Sequence, residues 1–253
     1  MKRIDHILIK VDDLHAGVAE FKRAGFNVYY GKAPEKAYNA LIYLQDDSFL
    51  ELVDTSAIPW YFRLLTRMGI IRLIHTLYNR MGNFAFKAGP LLDYVVYTPD
   101  IEATYARVKS KSSAMVHGKR EKPNGTVVSW DCFAPKEIDW PFLKSDYDPG
   151  QISAEETDEQ PNGITGIQSM DVTYAGDPAD FRERFMHYYA IDSGRMQTDG
   201  KNFCIQTDNA KVNYIWSNQH KITGVTLRPL NRMIDEKLGK YGLSTADEVS
   251  LSI

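Results

Sequence analysis

I-D-H-I-L-I-K-V-D-D-L (Ile4–Leu14) and Y-N-A-L-I-Y-L-Q-D-D-S-F-L-E-L-V-D (Tyr38–Asp54) are the two runs on which the fold is decided. Alternation of apolar and polar residues predicts a strand from Ile4 to Val11 and two more over Asn39–Leu44 and Phe49–Val53, joined by the turn Gln45–Ser48. Between them, Leu14, Val18 and Phe21 recur at helical spacing. Asp12-Asp13 offers an N-cap and Gly25 a stop, so a helix is predicted from Leu14 to about Ala24. Successive strand side chains point to opposite faces, which places His6 with Ile4 and Leu8, and Glu51 with Phe49 and Val53. An imidazole and a carboxylate among apolar neighbours are costly to bury unless paired, protonated or bound to a cation. That makes them the first candidate site.

The opening pattern recurs along the chain. Leu91–Tyr97 is a predicted strand, followed by Pro99-Asp100 and the stripe Ile101, Tyr105, Val108. Ile167–Tyr174 starts a third copy, with Asp177 as cap, Pro178 at the first helical position and the stripe Phe181, Phe185, Tyr188. Ile222–Leu227 with Leu230, Ile234 and Leu238 reads as a truncated fourth. Strand–helix openings repeated this often indicate a repeated unit. In register, Asn202–Ile215 lies under Ala40–Val53 without a gap, with Ser169 at the place of His6 and Asn213 at that of Glu51. A site is therefore expected in the N-terminal half, with the C-terminal half supporting the fold or dimerisation.

Two segments interrupt the repeats. Residues 57–82 contain Pro59 at a helix start and an approximate apolar face (Leu64, Leu65, Met68, Ile71, Ile74, Tyr78) broken by Arg63, Arg67, Arg72 and Arg80. This is a helical insertion, expected to pack over the mouth of the sheet; a lid or a basic amphipathic element resting on anionic membrane is also open. Gly69 could divide it. Residues 148–162, rich in Asp and Glu among Pro, Gly and Ser, read as a solvated acidic linker. Expected boundaries are thus 1–147, 148–162 and 163–253.

At 253 residues the chain can form one large or two modest domains, and a net charge of −3 gives no reason to expect nucleic acid as a partner. The two cysteines, Cys132 and Cys204, read as free thiols of a cytosolic protein. No charged-then-apolar leader precedes Ile4 and no run is long and uncharged enough to span a bilayer, so the expected location is cytoplasmic.

The strand–helix–three-strand unit with His in its first strand and Glu in its last resembles the βαβββ module of the vicinal oxygen chelate superfamily, which includes glyoxalase I, bleomycin-resistance and extradiol dioxygenase proteins. More narrowly, I-D-H-I-L-I (Ile4–Ile9), Y-N-A-L-I (Tyr38–Ile42), F-L-E-L-V (Phe49–Val53), R-E-K-P-N-G-T-V-V-S-W (Arg120–Trp130) and W-P-F-L (Trp140–Leu143) resemble the glyoxalase-like domain family. The resemblance covers Ile4 to Ser145, and the third copy only as a degenerate module. It implies an α+β fold in which repeated βαβββ modules curl mixed sheets into a cup that holds a small-molecule ligand.

By that resemblance His6 and Glu51 would bind a divalent metal ion or act as catalytic groups. Tyr94 stands at the partner module's His position, no carboxylate or imidazole faces inward from Trp140–Lys144, and Tyr38 replaces a His often seen before Asn-Ala-Leu. Asn39, Tyr38, Tyr94, Arg120 and Trp130 are the expected substrate contacts, with Arg120 suited to clamping a carboxylate. Each also has an ordinary structural role open to it: a core histidine, a wet carboxylate, a solvated turn charge or a core aromatic. Two functions follow. One is a lyase, isomerase or dioxygenase-type enzyme acting on a carbonyl or enolisable compound, through a metal or through Glu51 as base. The other is a protein that binds or sequesters a small molecule without chemistry. A homodimer is compatible with both.

Overall fold

The computed structural model describes residues 3–147, 159–230 and 236–245. The first module is β1 (Arg3–Val11), α1 (Leu14–Arg23), β2 (Tyr29–Tyr30), β3 (Asn39–Tyr43) and β4 (Phe49–Asp54). The insertion supplies α2 (Trp60–Arg67), α3 (Ile70–Ile74) and α4 (Thr76–Asn83). The second module is β5 (Leu91–Tyr97), α5 (Ile101–Val108), β6 (Val116–Glu121), β7 (Val127–Phe133) and β8 (Phe142–Lys144). The third is β9 (Ile164–Tyr174), α6 (Pro178–Tyr189), β10 (Met196–Asp199), β11 (Asn202–Gln206) and β12 (Lys211–Trp216). It is followed by β13 (Lys221–Pro229) and β14 (Leu243–Thr245). Asp13, Asp100 and Asp177 each accept hydrogen bonds from first-turn amides, so all three helix starts are capped, at Asp13 and Asp177 as the sequence predicts.

Pairing gives two curled mixed sheets, ordered β2-β3-β4-β1-β5-β8-β7-β6 and β10-β11-β12-β9-β13-β14. In each module the first and last strands lie side by side in parallel. His6 stands opposite Phe49 in β1/β4 and Ser169 opposite Lys211 in β9/β12, the same register read from the repeat. β13 pairs antiparallel with β9, and β14 parallel with β13, as β5 and β8 do in the first sheet. Among the described residues the fourth unit thus has two strands, with β14 at the sheet's edge. Its expected helix lies largely outside the described residues, and Leu238 falls in a short 3-10 segment, Glu236–Tyr241.

One face of each sheet, together with α1, α5 and α6, forms a single apolar core that contains Ile4, Ile7, Ile9, Val18, Phe21, Val96, Phe185 and Val212. Its few polar groups are matched. The Tyr94 and Tyr214 hydroxyls bond each other across the core, and burial raises both phenol pKa values, so they stay protonated. Asn209 donates to Ile4 O and accepts from Ile4 N, each at 2.9 Å, and the Asp46 carboxylate accepts from Ile167 N at 2.9 Å. The expected linker falls outside the described residues up to 158. Its end is packed, not solvated: Gln160 is buried, accepts from Asn27 N and donates to Tyr43 O.

The insertion is three helices, not one or two. Gly69 takes a left-handed conformation (φ 76) between α2 and α3, and extended backbone at His75 separates α3 from α4. Leu77 of α4 packs with Cys132, Ala134 and Phe142, and Phe84 beyond it packs with Leu8 and Val95. The insertion therefore plugs the second-module half of the first sheet's concave face.

Candidate functional site

β1 does not alternate cleanly. Its pairing with β5 shifts between Ile4 and His6, a bulge that sends Ile4 into the shared core and leaves His6 with Leu8 on the concave face. The expectation that Ile4 shares the face of His6 is corrected by that extra residue. The bulge also buries Asp5, whose Oδ2 lies 2.7 Å from His6 Nδ1. Phe49 stacks on the imidazole at 4.3 Å and Phe142 meets its edge at 6.1 Å.

His6 and Glu51 do meet: Nε2 lies 3.3 Å from Oε2. The other oxygen of Glu51 accepts from Asn39 Nδ2 at 2.6 Å. Both ring nitrogens of His6 thus face carboxylates. With a proton only on Nδ1, toward Asp5, the Nε2 lone pair would oppose Glu51 unless Glu51 carried a proton itself. The 2.7 Å contact of Nδ1 with Asp5 fixes the ring's orientation and turns Nε2 toward Glu51. Lys144 completes the row, 3.3 Å from Asp5 Oδ2. Burial alone would raise the Asp5 pKa; Lys144, then the hydrogen bond and charge of His6, together hold it below the ordinary carboxylate value.

The remaining expected contacts divide. Trp130 and Arg120 lie on the β6/β7 hairpin, where Gly118 stands opposite Trp130. A Cβ at Gly118 would come within 2.4 Å of the Trp130 ring, so the glycine lets the indole lie across its partner strand. The Arg120 guanidinium sits 5.9 Å from the Trp130 ring and 6.0 Å from that of Tyr147. Tyr38 is at the exposed rim; burial and the Glu51 charge raise its pKa, against a smaller lowering by Arg120. Asn39 packs under Gly31, where a Cβ would clash with Oδ1, and that buried Oδ1 has no partner among the described residues.

Tyr94 is not in the cup. It points into the core toward Tyr214, and the register gives the reason: Val95 opposes Phe142 as His6 opposes Phe49. Val95 is therefore the counterpart of His6, and Lys144, two residues past Phe142, is the counterpart of Glu51. Reading β5 without the bulge of β1 shifts the alignment by one residue and selects the wrong face. Asp5 escapes sequence reasoning for the same reason, since alternation assigns it to the opposite face. The Lys144 position could have been found by aligning F-L-K with F-L-E.

The implied divalent ion does not fit these side chains. Its site would draw on both modules, yet the second contributes a valine and an ammonium group. Asp93, the carboxylate that faces inward from β5, is bound through both oxygens by Arg80. Two protein donors remain where zinc takes three or four. Among the described residues no cluster of three or more His, Cys, Asp or Glu side chains could hold a metal. Chelation should consequently leave the unfolding temperature unchanged. A stoichiometric divalent ion retained on purification and lost in Glu51→Ala would contradict this assignment.

A family model described as a glyoxalase-like domain matches residues 4–189. A hypothetical protein from Staphylococcus aureus superposes with a TM-score of 0.68 at 13% identity, over 96% of this chain and 99% of that one, a likeness of fold. A 2,2',3-trihydroxybiphenyl 1,2-dioxygenase from dibenzofuran-degrading Sphingomonas wittichii strain RW1 aligns at 13% identity over 95% of this chain and 76% of its own, with a TM-score of 0.46. No functionally curated protein sequence matches the chain.

Proposed function

This chain belongs to the glyoxalase-like domain family, and from that premise we propose that its N-terminal cup binds a small carbonyl compound bearing an acidic C–H and moves a proton on it without a metal. The carrying observation is the 3.3 Å contact between His6 Nε2 and Glu51 Oε2, with Asp5 behind the ring. Glu51 takes the proton from carbon. One of its oxygens is tied to Asn39, which directs the other toward His6. His6, oriented by Asp5, delivers a proton from Nε2 to the enolate oxygen or to a neighbouring carbon while Glu51 keeps the one it took, so the net change is a tautomerisation, the work of an isomerase. The unpartnered Asn39 Oδ1 accepts from a hydroxyl of the ligand, and Arg120 and Lys144 favour an anionic one.

The test is deuterium exchange at the α-carbon of enolisable 2-oxo acids, followed by proton NMR. Glu51→Gln should cut exchange by about 10²-fold while ligand binding survives. A second reading is favoured by the loss of both second-module counterparts: the cup binds such a compound and leaves it unchanged. Wild-type binding with no exchange above background would decide for that reading. Unaltered exchange in Glu51→Gln would remove both this base and the mechanism.

A further inference from the structure

Residues 55–92 contain no Asp or Glu, in a chain with 33 of them, but do contain Arg63, Arg67, Arg72, Arg80 and Lys87. Of these, Arg80 is internal and paired with Asp93. Arg63, Arg67 and Arg72 have no hydrogen-bond or ion-pair partner among the described residues, and Arg67 and Arg72 are exposed. Among the described residues the same segment carries most of the large apolar side chains left in solvent: nine of fifteen lie between Trp60 and Phe86, so the patch is concentrated on the insertion, not scattered. Leu73 is 87% exposed, Ile74 72% and Trp60 71%.

The exposed residues follow the helices. Trp60, Tyr61, Leu64 and Met68 make one stripe of α2 with Arg67 beside it, and Leu73-Ile74 projects from the end of α3 next to Arg72. The opposite face is anchored: Thr66, Ile71 and Leu77 are buried, and Arg80 is bonded to the sheet. An apolar face fringed by arginines and aromatics, fixed to a rigid body, matches the interfacial boundary of a bilayer. There apolar side chains enter the acyl region, Trp and Tyr sit at headgroup level, and Arg meets lipid phosphate. No described helix is long and apolar enough to cross a membrane, so the element would lie on one.

We propose that the α2–α4 insertion docks this protein on an anionic phospholipid surface. Charge selects that occupant. A second copy of the chain would bring the three arginines against themselves, with no acidic residue in the segment to answer them. A lipid surface supplies anions in any arrangement, which suits three short helices broken at Gly69 and His75.

The full chain is floated with vesicles of equal parts phosphatidylcholine and phosphatidylglycerol, and with phosphatidylcholine alone. It should rise with the anionic vesicles only, and high salt should release it. Arg63→Gln/Arg67→Gln/Arg72→Gln should weaken partitioning by about 10²-fold, and Leu73→Glu/Ile74→Glu should abolish it, with circular dichroism and melting unchanged in both. Failure of the wild type to float with anionic vesicles, or salt-insensitive flotation with both kinds, overturns the proposal. So does a wild-type dimer, without vesicle binding, that Leu73→Glu/Ile74→Glu converts to monomer; the face would then be a self-interface. A vesicle-indifferent monomer would leave it to an acidic protein partner.

Discussion

Asp93→Ala is expected to lower stability by about 3–5 kcal/mol, measured by urea unfolding. Arg80 is 2% exposed and Asp93 3%. Arg80 donates from Nε to one carboxylate oxygen and from Nη2 to the other, the latter at 2.7 Å, while Nη1 has no partner among the described residues. Burial would raise the Asp93 pKa; the charge and hydrogen bonds of Arg80, and then Lys87, hold it below the ordinary value. A depressed carboxylate pKa contributes stability that is present above the ordinary value and is lost as pH falls through the lower one, so the same pair steepens acid unfolding. Removing the carboxylate strands a guanidinium that cannot give up its proton. Removing both charges is a different experiment: Arg80→Met/Asp93→Leu fills the space with apolar atoms and should recover most of the loss. A double variant as unstable as the single one would show that the pair's worth lies in shape, not in a stranded charge. Because Arg80 sits on α4 and Asp93 on β5, Asp93→Ala should also raise amide exchange across the insertion before the rest of the protein opens.

What the sequence made legible is the part governed by local period and capping. The stripe Leu14, Val18, Phe21 is buried as read, Gly25 follows α1 at φ 82, and Asp177-Pro178 starts α6. The parallel pairing of β1 with β4 also places His6 and Glu51 on one concave face, as alternation within each strand predicts. What escaped is long-range. A one-residue bulge at Asp5 has no compositional mark in I-D-H-I, yet it decides which side Ile4 and Asp5 take and, through the alignment of β5, misplaces Tyr94. Arg80 reads as a break in an apolar face because its partner lies on a strand beyond the insertion. Leu64, Met68 and Ile74 read as part of a packed face but are exposed, because hydrophobicity alone does not say whether a face has anything to pack against.

Trp140→Ala should cost about 3–5 kcal/mol, and the form of the unfolding curve carries as much as the shift. Trp140 belongs to the loop entering β8. Its ring centroid is 5.8 Å from Phe181, 5.2 Å from Phe185, 5.6 Å from Tyr188 and 6.1 Å from Tyr189, all on α6 of the third module. Tyr189 donates to Pro141 O at 2.5 Å beside it, and Arg184 covers the ring at 5.6 Å. The side chain is thus a bridge between the two sheets, and truncating it opens a cavity inside the core they share, where collapse is limited by the packing of α6. We propose that the halves unfold as one unit through this core even though the acidic segment separates them in sequence. Trp140→Ala should then give a single cooperative transition, displaced as a whole when followed by both near- and far-ultraviolet circular dichroism. Two transitions, only one of them moved by the substitution, would instead make 1–147 and 163–253 independent domains that merely touch at Trp140.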